Sequence, residues 1–217
     1  MRIIWTFLTS LIVVIPIIAG LVRFRRIGKR YQPLFILLVL GLATELISYF
    51  FFVRHRRTNA PVYDIYALLE WLLVFWQFRV WGFLRARPVV VSAILFLPCL
   101  VWVAENLYPG NMNNFSPYYR IFYSFLIVMF SVNKINFMIT HDNRNLLGHP
   151  EFLICIGFII YFIYDIIYEW AYQSSLSRET SITSTIISLF GYINALTNII
   201  FAVAFLKIPA PKKFELW

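Results

Sequence analysis

A chain of 217 residues with 61% hydrophobic and 13% charged side chains is far from the composition of a soluble domain, where about 25% charge is usual. Its formal net charge of +9 sits in short clusters between apolar runs, a pattern that orients membrane proteins and argues against a nucleic-acid partner. The longest connections between those runs hold about 15 residues, too few to build a soluble core.

Seven apolar runs occupy residues 3–22, 33–53, 62–78, 89–103, 119–139, 152–172 and 182–206. A spanning helix needs about 20 mostly apolar residues, and most of the runs reach or approach that. The expected fold is therefore all-α: one polytopic membrane domain over residues 1–217, a bundle of seven transmembrane helices. The first run lacks a clear small-residue cleavage site and is expected to remain as a span rather than leave as a signal peptide.

Taken along the chain, the first connection holds Arg23, Arg25, Arg26, Lys29 and Arg30. The second run carries Glu45, with Ser48 and Tyr49 on its helical face. Arg54-His55-Arg56-Arg57 follow it. The third run carries Tyr63, Tyr66 and Glu70 on one stripe. The fourth contains Pro98, an expected kink, and Cys99. Asn114-Phe115-Ser116 then matches a glycosylation triplet, with Pro117 directly behind it. In the fifth run Lys134 is flanked by Asn133 and Asn136 and is expected to snorkel to the interface. The sixth run holds Cys155, Tyr161, Asp165, Tyr168 and Glu169, and the seventh holds Asn194, Thr197 and Asn198. Lys212, Lys213 and Trp217 in the tail read as interfacial anchors.

Of the 19 lysines and arginines, 13 fall at the odd-numbered connections, the inner end of the fifth run and the tail. Basic residues favour the cytoplasmic side, so the N-terminus is expected outside and the C-terminus inside. The run at 54–57 opposes that assignment. Asp64, Glu105, Glu169 and the arginines at 54, 56 and 57 are expected near the outer rim, where ion pairs contribute little.

Ionisable groups at bilayer depth face the bundle interior and mark function. Counted from the nearest run end at 1.5 Å per residue, Glu45, Glu70 and Asp165 each lie roughly 10–12 Å below the same face. Three carboxylates at one level predict one site. Tyr66, Tyr161, Asn194 and Asn198 share their polar faces and are its expected neighbours, since hydroxyls and amides donate to buried carboxylates. The alternative is that these groups only bond helix to helix.

Several chemistries lack their residues. His55, His141 and His149 fall in connections on differing sides, so no intramembrane zinc site is expected. No lysine lies deep in the last run, and no Gly-x-Ser-x-Gly, phosphate-cradling loop or His-Glu-x-x-His occurs. No catalytic residue, metal or cofactor is therefore expected. A three-plus-one-plus-three order is also legible, in which Glu45 corresponds to Asp165 and Glu70 to Asn194, as in transporters with parallel repeats.

Asn59-Ala60-Pro61-Val62-Tyr63-Asp64-Ile65-Tyr66 with Glu70, and Asn194-Ala195-Leu196-Thr197-Asn198, resemble stretches of uncharacterised bacterial seven-span inner-membrane proteins. The resemblance implies a bacterial inner-membrane location and brings no activity. The expected function is a receptor or sensor that binds a small polar or cationic ligand, or a proton, in an acidic, tyrosine-lined chamber. Its partners would be the lipid bilayer and a separate cytoplasmic or membrane protein. A small proton- or cation-coupled transporter, or a structural subunit of a membrane complex, are the alternatives.

Overall fold

The described part of every apolar run lies in a helix of the computed structural model, which describes residues 11–55, 59–82, 88–107, 116–141, 146–177 and 181–209. Helix α1 (Val14–Val22) is entered through a 3-10 turn, Leu11–Val13. It is followed by α2 (Phe24–His55), α3 (Ala60–Val80), α4 (Pro88–Asn106), α5 (Pro117–His141), α6 (Pro150–Ser177) and α7 (Ser181–Leu206). Four of them open on or next to proline, whose missing N–H costs nothing in a first turn. Gly82, at φ 72°, ends α3 in the left-handed conformation that glycine adopts without strain.

Five helices are long and apolar enough to cross a bilayer: Phe24–Phe50, Pro88–Asn106, Pro117–His141, Pro150–Ser174 and Ser181–Leu206. The chain is an integral membrane protein. α3 falls short in apolarity because Asp64, Glu70, Gln77 and Arg79 punctuate its 21 residues, and only residues 11–22 of the first run are described. The fold is turned inside out relative to a soluble bundle. Phe50, Phe96, Leu100, Phe125, Ile139 and Trp170 face outward, while Glu70, Gln77, Glu151 and Asp165 are buried.

The first basic connection is not a loop. Arg23 alone links α1 to α2, and Arg25, Arg26, Lys29 and Arg30 are helical. Hydropathy marks only the apolar part of a helix, whereas Arg and Lys are good helix formers in their own right. The true break is at Gly28, whose φ of 50° and ψ of −170° no helix accommodates. Restarting there places Pro33 near the beginning of a helix, where it is tolerated.

Side-chain contacts give the direction of each helix. Tyr63 meets Glu45 and Gln77 meets Arg30, so α2 and α3 are antiparallel. α3 and α5 run the same way: Ser116 meets Asp64, Tyr119 meets Ala67 and Tyr123 meets Glu70 at nearly constant separation in sequence. Arg120 to Glu169 and Ser124 to Asp165 make α5 and α6 antiparallel. The resulting order is a ring of α1, α2, α3, α5, α6 and α7, closed by contact of α7 with α1. α4 stands outside it, packed on α3 and α5, and buries only Val91, Pro98 and Asn106.

Two polar devices lie toward the end of the ring where α3 and α5 finish. The Gln77 side chain, fully buried, accepts from the Leu34 backbone N–H at 3.0 Å and donates to the Arg30 carbonyl at 2.6 Å. Those are the two groups an undisturbed helix would pair with each other. Beside them Glu151, in the first turn of α6, binds Arg30 through one oxygen and Lys134 through the other, the latter at 2.9 Å. The expectation that Lys134 snorkels is therefore wrong. Its side chain is 8% exposed and also lies over the Trp81 ring, because a carboxylate on the neighbouring helix is nearer than water. Between these devices and the middle of the bundle, Trp71, Phe78, Phe130 and Phe158 pack ring to ring.

Candidate functional site

On α3, positions 63, 66 and 70 recur at helical spacing and turn two tyrosines and a glutamate into the ring. Tyr63 donates to Glu45 of α2 at 3.2 Å, and Tyr66 donates to Glu70 at 3.3 Å. The Tyr66 hydroxyl has room because Gly41 faces it; a Cβ there would come within 3.3 Å. On α5 two consecutive residues serve two carboxylates. Tyr123 donates to Glu70 at 2.6 Å, and Ser124 donates to Asp165 of α6 at 3.0 Å. Glu70 and Asp165 thus flank one turn of α5 and share its level. On α7 the Asn198 amide donates to the Asn194 backbone and side-chain oxygens at 2.9 and 3.0 Å.

These side chains surround a cavity of about 920 Å³ inside the ring. It runs from Leu37, Phe158 and Phe201 in mid-bundle toward the helix ends marked by Asn59, Tyr172 and Ser184. Glu45, Tyr66, Glu70, Tyr161, Asp165, Asn194 and Asn198, the seven residues expected to form one site, all line it. Glu70 and Asp165 are 5% and 4% exposed, so neither faces lipid. Ser48 and Tyr49 do not join them. Ser48 accepts from Asn59, and Tyr49 is on the outer surface.

The rim assignment of Glu169 and Asp64 is corrected. Glu169 is buried and lines the cavity, paired at 3.1 Å with Arg120 of α5. Asp64 is buried against the start of α5, where it accepts from the Ser116 N–H at 3.3 Å. Glu105 accepts from the next two free N–H groups, those of Tyr118 and Tyr119. A helix start packed inside a bundle leaves N–H groups that need acceptors, and carboxylates also suit its positive end. The arginines at 56 and 57, Asn114 and Phe115 of the glycosylation triplet and the tail anchors lie outside the described residues.

Arg120 and Tyr123 are two wall residues that the sequence pattern does not mark. Arg120 sits one turn into its helix, where a basic residue reads as an interfacial anchor. Its burial follows only from Glu169 lying across from it on another helix. With it included, four carboxylates (Glu45, Glu70, Asp165 and Glu169) face one guanidinium around the cavity. Arg120 also lies in the fields of Asp64 and Asp165. Such a wall can hold cations or protons and repel anions, because unbalanced buried charge of one sign is costly. Among the described residues no three His, Cys, Asp or Glu groups converge as metal ligands.

Neither a family model, nor a curated protein, nor a solved structure matches the chain.

Proposed function

We propose that the chain is a non-enzymatic seven-span receptor or sensor that binds a small polar or cationic ligand, or a proton, in this chamber. The observation that carries the reading is the charge of the wall, four carboxylates against one guanidinium around about 920 Å³. A cation held by Glu70 and Asp165 competes with the Tyr123 and Ser124 hydroxyls for the same oxygens. Both hydroxyls belong to α5, so the competition acts on that helix as a unit. Roughly 15 Å further along it, Lys134 is bound to Glu151 at the opposite end. A ligand that interacts differently with two positions of α5 shifts the population between them. A separate cytoplasmic or membrane protein would read that shift.

A proton- or cation-coupled transporter is the second reading, favoured by one observation. The Arg30–Glu151–Lys134 cluster ties α2, α5 and α6 together at the end away from the cavity, as an alternating-access closure requires.

Trp71 follows Glu70 directly and is fully buried, so its fluorescence is the reporter of choice. Full-length protein in lipid nanodiscs is expected to respond to sodium ion or to pH, and Glu70→Gln should remove that response while leaving helicity intact. In proteoliposomes the sensor moves no net charge, whereas sodium- or proton-driven uptake selects the transporter. No wild-type response to sodium ion or pH removes the proton and bare-ion readings of the chamber.

The location proposed is the bacterial inner membrane with the N-terminus outside. It rests on the 13 basic residues of 19 on one side. Reporter fusions at Trp217 should give a cytoplasmic signal, and fusions within residues 111–116 an external one. The reverse pair of signals inverts the topology.

A further inference from the structure

The shape of the chamber narrows the class of cation. It has room for roughly 30 waters at about 30 Å³ each, far more than a bare ion needs. Its carboxylates are spread around the wall on α2, α3 and α6 rather than gathered, and among the described residues none forms a metal-ligand group. Eleven tyrosine and phenylalanine side chains supply much of the remaining surface. Such a cavity suits an organic body carrying a charge better than a hydrated metal ion.

One place on the wall offers both halves of that recognition. One Asp165 oxygen accepts from Ser124, and the other has no donor among the described residues. One turn to either side on α6 stand Tyr161 and Tyr168, and both pack against Phe190 of α7, with ring centroids 5.9 and 4.6 Å apart. An ammonium at the open oxygen gains a charge-assisted hydrogen bond, and the negative faces of the neighbouring rings attract the same cation. On α7, Thr197 is 2% exposed and lines the cavity, and its hydroxyl lacks a partner among the described residues, a second polar group left over for a ligand.

We propose that the chamber takes a small organic amine, its ammonium on Asp165 and its apolar or aromatic body against Tyr161, Tyr168 and Phe190. The assignment rests on the reading of the cavity as a ligand chamber and adds the chemical class. Phenethylamine is the probe, with phenethyl alcohol as its neutral counterpart, 3-phenylpropionate as its anionic one and sodium ion as a cation without a body. Titration calorimetry on the full chain in nanodiscs should show saturable phenethylamine binding at least about tenfold tighter than the alcohol, with no binding of the anion. Asp165→Asn should weaken the amine by about tenfold or more. Should that variant fail to fold, Tyr168→Ala against Tyr168→Phe keeps the test open: alanine should weaken binding several-fold and phenylalanine should not. Equal affinity for amine and alcohol, or unchanged amine affinity in Asp165→Asn, overturns the assignment. A response to sodium or pH without amine binding overturns it too, and leaves the chamber reading standing. Silence toward every probe overturns both.

Discussion

Glu151→Ala is expected to destabilise the bundle by about 3–5 kcal/mol, the usual cost of leaving a buried charge without its partner. The two cations on Glu151 do not share that cost. The Arg30 side chain is 58% exposed and can turn to water, whereas that of Lys134 is 8% exposed and cannot without opening the α5–α6 contact. Glu151 also occupies the first turn of α6, where a negative charge adds a further fraction of a kcal/mol. Unfolding of the purified protein by graded denaturing detergent is the measurement. A double variant, Lys134→Met with Glu151→Leu, should recover most of the loss, since apolar replacements of a buried pair are often neutral. A single-variant cost under about 1 kcal/mol would mean that Lys134 reaches another acceptor and that the pair is no tie between helices.

Gln77→Leu is expected to cost about 2–4 kcal/mol by the same measurement. Leucine keeps the volume but leaves the Leu34 N–H and the Arg30 carbonyl without the side-chain amide that bonds both. An unsatisfied buried polar group costs about 1–3 kcal/mol. Gln77→Glu separates the two contributions, since a carboxylate can accept from Leu34 but has nothing to donate to Arg30. A negligible effect of the leucine variant would show that the two backbone groups simply close on each other.

Helix number and much of the cavity wall are legible in the sequence for one reason: an α-helix advances by a fixed rise. Counting residues from a run end therefore measures depth, and depth alone set Glu45, Glu70 and Asp165 at one level. Spacing of three and four likewise put Tyr66 and Tyr161 beside them. What counting along one helix cannot give is a partner on another. Arg120 carries no signal along its own helix because its partner Glu169 lies on another, and Lys134 reads as snorkelling because Glu151 does too. Glu105 and Asp64 read as rim charges because nothing local says that the start of α5 is buried. The start of α2 was missed for a different reason, since its first turns are basic and hydropathy is blind to them.

The place of α4 outside the ring has a consequence for how such a chain can be laid down. α3 and α5 must point the same way for Tyr119 and Tyr123 to meet Ala67 and Glu70, yet a chain leaving α3 finds itself at the far end. One more traverse of the bundle's length is needed to bring it back, and α4 is that traverse. Parity, more than packing, explains a helix that contributes no residue to the chamber wall. Deleting α4 would not merely thin the bundle: α5, α6 and α7 would be threaded upside down, and Asp165 would arrive at the wrong end. Its outward face, with Phe96, Leu97 and Leu100 exposed, can accordingly change in sequence without touching the chamber, provided its length, apolarity and direction are kept.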